Sequence, residues 1–516
     1  MPYQNLSNIL DMSAKRHPRR IAVVFGQKKF SYSALSAITD RMAAGLAALG
    51  IKKHDKVAIF LDNCPEFIIS YFAILKAQAI CVPINYMFKI EEAKYIIEDS
   101  QSKALITSRA YASMAEELRL RVDSLQHVIT TVKIKDDIID FERLQEPTAE
   151  IINKDYKLAD ETAVILYTSG TTGRPKGAEL THRNLVSNAL DCSQAIKVSR
   201  RDTLICILPL FHSFAATVCM NVPLAIGAKT VLMKSVRPFK RVIRAIRKNR
   251  VTIFVGIPSI YNILKEMKIP GVLRMSLVRL FNPVRLCVSG AAALPAETLC
   301  KFEKKFHIPL LEGYGLTEAA PVVTINPLKG KRKAGSIGIA LAKHIKLKVV
   351  DEKHDTLDTD EIGELLVKGP NVMKGYFRQG AASREVLKDG WLCTGDMAKI
   401  DSDGYAYIVG RKKEMVNVRG LNVYPREIEE VLYQNPKIKE AAVIGVRDEH
   451  KGEVPKGFVV LKEGEQATEH EIIQYLRERL AGYKIPKHVE FRADLPKNTT
   501  GKILKRLLQD EEENKK

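Results

Sequence analysis

A chain of 516 residues is longer than one hydrophobic core supports, about 250 to 300 residues, so two or more packed units are expected. Hydrophobic residues at 46% and charged residues at 27% exclude a disordered or fibrous chain. The 81 Lys and Arg against 60 Asp and Glu leave a net charge of +21, which favours an anionic partner without selecting among nucleotides, acidic proteins, lipid surfaces and nucleic acid.

The N-terminal residues lack the basic and apolar regions of a secretory signal, and the eight cysteines are scattered without a C-x-x-C pair, so a reducing, cytoplasmic setting is expected. Residues 32–49 carry Leu35, Ile38, Met42, Leu46 and Leu49 at helical spacing and end at Gly50, which predicts a structural amphipathic helix. The runs KVAIFL (56–61), KALITS (103–108), AVILYT (163–168), VTIFVGI (251–257) and VRLCVSG (284–290) read as buried strands separated by helices, the pattern of parallel α/β units.

YTSGTTGRPKG (167–177) follows a buried strand and precedes the helix-like THRNLVSNAL, and its composition is that of a phosphate-binding loop. Gly170, Gly173 and Gly177 let backbone N–H groups close on phosphate oxygens, Thr168, Ser169, Thr171 and Thr172 add hydroxyl donors, and Lys176 adds a charge. The P-loop of nucleotide hydrolases needs Gly directly before Lys, and Pro175 stands there instead.

Residues 203–228 contain no formal charge with His212 neutral, a length that would cross a bilayer, but Pro209, His212, Asn221 and Pro223 interrupt the run. A buried strand, loop and helix around an apolar pocket is expected there instead. RPFKRVIRAIRKNR (237–250) then places Arg237, Lys240, Arg241, Arg244, Arg247 and Lys248 on one side of a helix, with Phe239, Val242, Ile243 and Ile246 on the other. Such a helix suits either an outer layer of an α/β fold or peripheral contact with an acidic membrane at its inner face. No nucleic-acid-binding motif accompanies the charge.

From about residue 340 short strands and turns take over, including the hairpin-like DSDGYAYIVGRKKE (401–414), predicting a β-rich subdomain over about 340–410. The last hundred or so residues read helix (PREIEEVLYQN), strand (AAVIGV), strand (GFVVL), helix (HEIIQYLRERL) and basic tail, enough for a compact α+β unit. The expected class is α/β: a large N-terminal domain, 1–410, of parallel and mixed sheets flanked by helices, and a small mobile C-terminal domain, 411–516.

Six motifs together carry a resemblance: the loop at 167–177, LPLFHSF (208–214), YGLTEAAP (314–321), WLCTGD (391–396), GRKKEMVNVRG (410–420) and LPKNTTGK (495–502). In this order, over nearly the whole chain, they resemble the acyl-adenylate-forming superfamily of acyl-CoA synthetases, peptide-synthetase adenylation domains and beetle luciferases. FHSFA and FVGIPSIYNIL are most similar to fatty acyl-CoA synthetases. The resemblance implies a fatty acid–CoA ligase that uses ATP, Mg2+ and CoA and passes through acyl-AMP, an in-line attack at phosphorus catalysed by positioning and charge neutralisation.

By the same resemblance Glu318, with Thr168, would hold Mg2+, and Thr317 would touch the α-phosphate. Tyr314 would offer its ring to adenine beside the small residues Gly290, Ala291 and Gly315. Asp396 would bond both ribose hydroxyls, Arg411 would reach the ribose and phosphate region, and Lys502 would bridge the attacking carboxylate and the α-phosphate. Lys413 matches the hinge on which the C-terminal domain swings to admit the thiol, and His212 the gate between acyl and nucleotide sites.

Phe211, Phe214, Val255, Gly256, Ser259 and Gly313 are candidates for the acyl pocket, large apolar side chains beside glycines. Cys393 and Asn417 depart from the family pattern, the second at a position where relatives carry lysine. The acceptor thiol stays open between CoA and an acidic acyl carrier protein. A non-catalytic acyl or nucleotide sensor and luciferase-like chemistry are the other readings of this fold, and the oligomeric state, with a homodimer as one option, stays open.

Overall fold

The computed structural model describes residues 5–135, 138–146, 158–168, 174–267, 283–418, 421–448, 452–497 and 501–515. Among these residues the strands form four sheets, of nine, eight, five and five strands. In the nine-stranded sheet six strands run parallel, in the spatial order Leu310–Gly315, Leu286–Ser289, Ile253–Gly256, Thr203–Cys206, Lys229–Leu232 and Ile21–Phe25. Antiparallel strands close both its edges. The eight-stranded sheet has a parallel run from Thr162–Thr168 to Ile139–Asp140, and antiparallel strands Lys176–Thr181 and Gly375–Tyr376 extend one side.

The continuous apolar runs in the sequence become central parallel strands because both of their faces are covered, which removes any need for polar alternation. Helix Pro65–Lys76 buries every residue except Glu66, which is partly covered, as a helix apolar on all sides must. Its C-terminal Lys76 is held inside by Asp11 at 2.6 Å and Asp40 at 2.7 Å, so the buried ammonium is fully paired. The expected helix over 32–49 spans Tyr32–Ala48, and Gly50 follows with φ +84°.

The uncharged stretch 203–228 folds as expected: strand Thr203–Cys206, a loop, then helical turns Ser213–Ala215, Ala216–Asn221 and Val222–Ile226, all packed in the main core. No described helix is long and apolar enough to cross a membrane. The 346–411 region forms an antiparallel five-stranded sheet, including the hairpin of Trp391–Ile400 with Ala406–Arg411. Residues 416–508 contribute two further clusters of buried side chains that share no residue with the main core.

One expectation fails. The phosphate-type motif does not lead directly into a helix: strand Lys176–Thr181 intervenes and pairs antiparallel with Thr162–Thr168, and helix His182–Ala195 follows. Gly177 lies inside this second strand, where a Cβ would sit 2.7 Å from Ile165 Cγ2 and 3.1 Å from the Tyr167 ring. Close strand packing by itself therefore requires a glycine here.

Candidate active site

The parallel strands of the larger sheet end on one side in segments around His212, Gly290 and Gly313–Gly315, the position at which open α/β sheets bind ligands. These segments, the paired strands Thr162–Thr168 and Lys176–Thr181, the five-stranded sheet of residues 346–411, and Lys497, Lys502 and Leu504 together line a cavity of about 1180 Å3. Thr168, Lys176, His212, Gly290, Ala291, Tyr314, Gly315, Thr317, Glu318, Arg411, Lys413 and Lys502 all border it. Ser169, Gly170, Thr171, Thr172 and Gly173 lie outside the described residues.

Asp396 sits directly behind this wall, 3% exposed, with its two oxygens engaged separately. The Tyr314 hydroxyl donates to Oδ2 at 2.5 Å, and Arg411 Nε donates to Oδ1 at 2.6 Å. Each carboxylate oxygen carries a second lone pair, so Asp396 retains acceptor capacity toward a ligand. Burial, then the Asp396 charge, pushes the Tyr314 phenol well above its ordinary range, and it stays a donor.

The glycines beside Tyr314 answer to packing within the protein itself. A Cβ on Gly290 would stand 2.8 Å from Phe214 Cζ, and one on Gly315 only 2.0 Å from the Pro321 carbonyl oxygen. Phe214 thus lies flat on the Gly290 backbone, and both residues line the cavity.

Glu318 faces the hairpin across the cavity. Tyr376 donates to Glu318 Oε1 at 3.0 Å, and the Lys176 ammonium stands 5.2 Å from the Tyr376 ring centroid. Burial, then the Glu318 charge, raises the Tyr376 phenol, so this donor also stays protonated. The Thr317 and Ser213 hydroxyls are 3.3 Å apart, and Tyr95 and Tyr167 brace the hairpin through Pro175 and Asp99.

Lys502 enters from the C-terminal side. Desolvation by the cavity walls, then the Arg411 charge, lowers its ammonium pKa, while Asp396 and Glu414 act to raise it. The preceding Gly501, at φ +76°, packs so closely that a Cβ would touch Ile257 at 3.0 Å and Ser259 at 3.2 Å. Three residues on, Lys505 pairs with Glu414 at 3.0 Å and Glu429 at 2.8 Å, tying the lysine segment to the Lys412–Glu414 turn that contains exposed Lys413. His212 caps a helical turn through Nδ1, which accepts from the Phe214 N–H, leaving the proton on Nε2. Desolvation, then Lys502, holds this imidazole down to about 4, so it is neutral near pH 7.

A family model described as AMP-binding enzyme matches residues 10–377, and one described as AMP-binding enzyme C-terminal domain matches residues 427–502. The chain belongs to the AMP-binding enzyme family. A long-chain-fatty-acid–CoA ligase of Bacillus subtilis (strain 168) is 36% identical over 545 aligned residues, covering 100% of this chain and 96% of that one. A feruloyl-CoA synthase of Amycolatopsis sp. is 34% identical, covering 95% and 96%. Among solved structures, ATP-bound MatB from Rhodopseudomonas palustris superposes with a TM-score of 0.89 at 32% identity, covering 99% of both chains. An anthranilate CoA ligase in complex with anthranoyl-AMP gives a TM-score of 0.91 at 27% identity, covering 99% and 97%.

In this AMP-binding enzyme the acyl-pocket expectation needs correction. Phe211, Phe214 and Gly313 line the cavity, whereas Val255, Gly256 and Ser259 do not. Val255 is fully buried in the core, Gly256 abuts Phe254 and Tyr261, and Ser259 faces Gly501. Cys192, Ile196, Val218, Val288, Val322 and Ile325 supply the apolar wall instead. Tyr376 was missed because an aromatic beside glycine in NVMKGYF carries no distinctive signal, and its partner Glu318 is distant in sequence.

Proposed function

We propose that this chain joins a fatty acid to CoA at the expense of ATP. A carboxylate oxygen of the acid attacks the α-phosphorus of ATP, the bond to pyrophosphate breaks, and acyl-AMP forms. The CoA sulfur then attacks the acyl carbon, with loss of its proton, and AMP leaves. The observation that carries this reading is the convergence of Lys502, Arg411 and neutral His212 on a cavity whose other wall is apolar, with Asp396 held behind Arg411.

In this reading Asp396 and Tyr314 orient the nucleoside, and Lys176 with the hairpin tip holds the outer phosphates. Lys502 neutralises charge shared by the attacking carboxylate and the α-phosphate. Among the described residues no group of three or more His, Cys, Asp or Glu side chains could hold a metal. A single carboxylate, Glu318, with Thr168 bordering the same cavity, fits Mg2+ shared with nucleotide phosphates. Bound there, the ion would neutralise phosphoryl charge. Residues 411–516 would swing about Lys413 to withdraw Lys502 and admit the thiol, and the Lys505 pairs would hold the first state. His212, with a single proton fixed on Nε2, would separate the acyl and nucleotide sites.

The test is AMP formation by the purified full chain with Mg-ATP and fatty acids of graded length, each with CoA, with an acyl carrier protein, and with neither. AMP and thioester that depend on CoA support the reading. Turnover only with carrier protein moves the acceptor, and no AMP with any acid overturns the assignment.

A further inference from the structure

Residues 12–39 and 203–265 contain neither Asp nor Glu, and the fold sets these two segments side by side: strand Ile21–Phe25 pairs parallel with Lys229–Leu232. Helix Phe239–Asn249 is linked to both segments through Lys229 and Gln27, burying Val242 and Ile246 and exposing Arg237, Lys240, Arg241, Arg244, Arg247 and Lys248 along the helix and its entry. Among the described residues none of these six forms an ion pair.

The basic face continues beyond the helix. Lys248 Nζ donates to Gln27 Oε1 at 3.1 Å, which sets the helix against the turn before exposed Lys28 and Lys29. Lys229 Nζ donates to the Asn249 carbonyl at 3.0 Å, and Arg20 reaches the Gly227 carbonyl at 3.2 Å. The carboxylates that bound these segments in sequence are engaged elsewhere: Asp11 and Asp40 with buried Lys76 at 2.6 and 2.7 Å, buried Asp202 with Arg285 at 2.8 Å, and Glu266 with Lys462 at 3.8 Å. Crowding of like charge without neutralisation costs stability, and proximity to a polyanion relieves that cost.

The entry to the helix also lies close to the cavity rim. Lys234, just before Arg237, pairs with Asp62 at 2.9 Å, and the charges of both reach Tyr86. Tyr86 packs edge-on against Phe211 with ring centroids 5.7 Å apart, and Phe211 and Met87, which is 45% exposed, both line the cavity. An apolar opening beside a broad cationic face is the arrangement that suits a surface of anionic headgroups over hydrocarbon.

We propose that helix Phe239–Asn249 and the adjoining residues Gln27, Lys28 and Lys29 dock the enzyme on an anionic lipid bilayer, placing the cavity rim at the surface into which fatty acids partition. The use of the docked state rests on the fatty acid reading; the docking itself does not.

The test is co-sedimentation of the full chain, without ATP or acid, with vesicles of phosphatidylcholine alone or mixed with phosphatidylglycerol. Binding to the mixed vesicles only, weakened by salt, is expected. The variant Arg241→Glu/Arg244→Glu/Lys248→Glu should lose more than about tenfold of that partition. It should keep the wild-type melting midpoint and turnover of a short, water-soluble acid. Equal binding to uncharged vesicles, full binding by the variant, or preferential capture of duplex DNA would each overturn the proposal. Loss of turnover on every acid with vesicle binding intact would count against the ligase reading alone.

Discussion

The Tyr314 hydroxyl is hydrogen-bonded at 2.5 Å to Asp396, joining the last parallel strand of the nine-stranded sheet to the β-rich subdomain at the point where Arg411 also binds. Tyr314→Phe removes one donor from a buried carboxylate and leaves its ring in place. We expect kcat/KM for ATP to fall about tenfold, the equivalent of one charge-assisted hydrogen bond. Pyrophosphate release measured at limiting ATP checks this, and an unchanged value would detach the pair from nucleotide binding.

Tyr376 aims the Glu318 carboxylate. Tyr376→Phe should raise the Mg2+ concentration needed for half-maximal adenylation by roughly tenfold, as loss of a group orienting a metal ligand does. A titration of Mg2+ at fixed ATP reads this directly, and a fall in kcat with no change in Mg2+ dependence would separate Glu318 from the ion.

Lys502→Ala should lower the adenylation half-reaction by at least about a hundredfold, since a charge positioned on the transferring phosphoryl group is lost. Transfer from pre-formed acyl-AMP to CoA should stay within about threefold, because the proposed swing of residues 411–516 would withdraw the lysine before the second half-reaction. Equal loss in both halves would refute that division.

Gly290→Ala drives a methyl group to within 2.8 Å of the Phe214 ring. Overpacking of about 1–3 kcal/mol should lower the melting midpoint and reduce turnover of long acids. Phe214→Leu in the same chain should restore part of both. Additive losses in the double variant would mean that the two residues do not meet.

Glu312 is buried on the cavity strand Leu310–Gly315 with Oε1 accepting from the Leu294 N–H, and its Oε2 has no hydrogen-bond partner among the described residues. Burial pushes its carboxyl up to about 7, with Arg426 opposing and Glu430 adding to the shift. A raised carboxyl pKa means that the unfolded chain ionises first as pH rises. The stability present below about pH 4.5 is therefore lost between there and about pH 7, by up to ~3 kcal/mol. Glu312→Gln cannot ionise, so its melting midpoint relative to wild type should rise by a few degrees between about pH 5 and pH 8. A constant difference across that range would refute the assignment.

The parallel strands, the helix over 32–49 and most of the cavity's polar residues were legible in the chain itself. Strands covered on both faces advertise themselves as unbroken apolar runs, and the polar residues that border the cavity cluster in short segments whose glycines, hydroxyls and charges are adjacent in sequence. The hairpin in place of a strand–loop–helix was not legible, because KGAELT mixes charge with small residues and gains its strand form only by pairing with Thr162–Thr168. Nor were Tyr376 on Glu318, Phe214 on Gly290, or Lys505 between Glu414 and Glu429. Periodicity reports how a segment faces its own neighbours in the chain. Which hydroxyl reaches which carboxylate, and which glycine lacks room for a Cβ, depends on contacts between segments distant in sequence, and only the packed fold brings those atoms within a few ångströms.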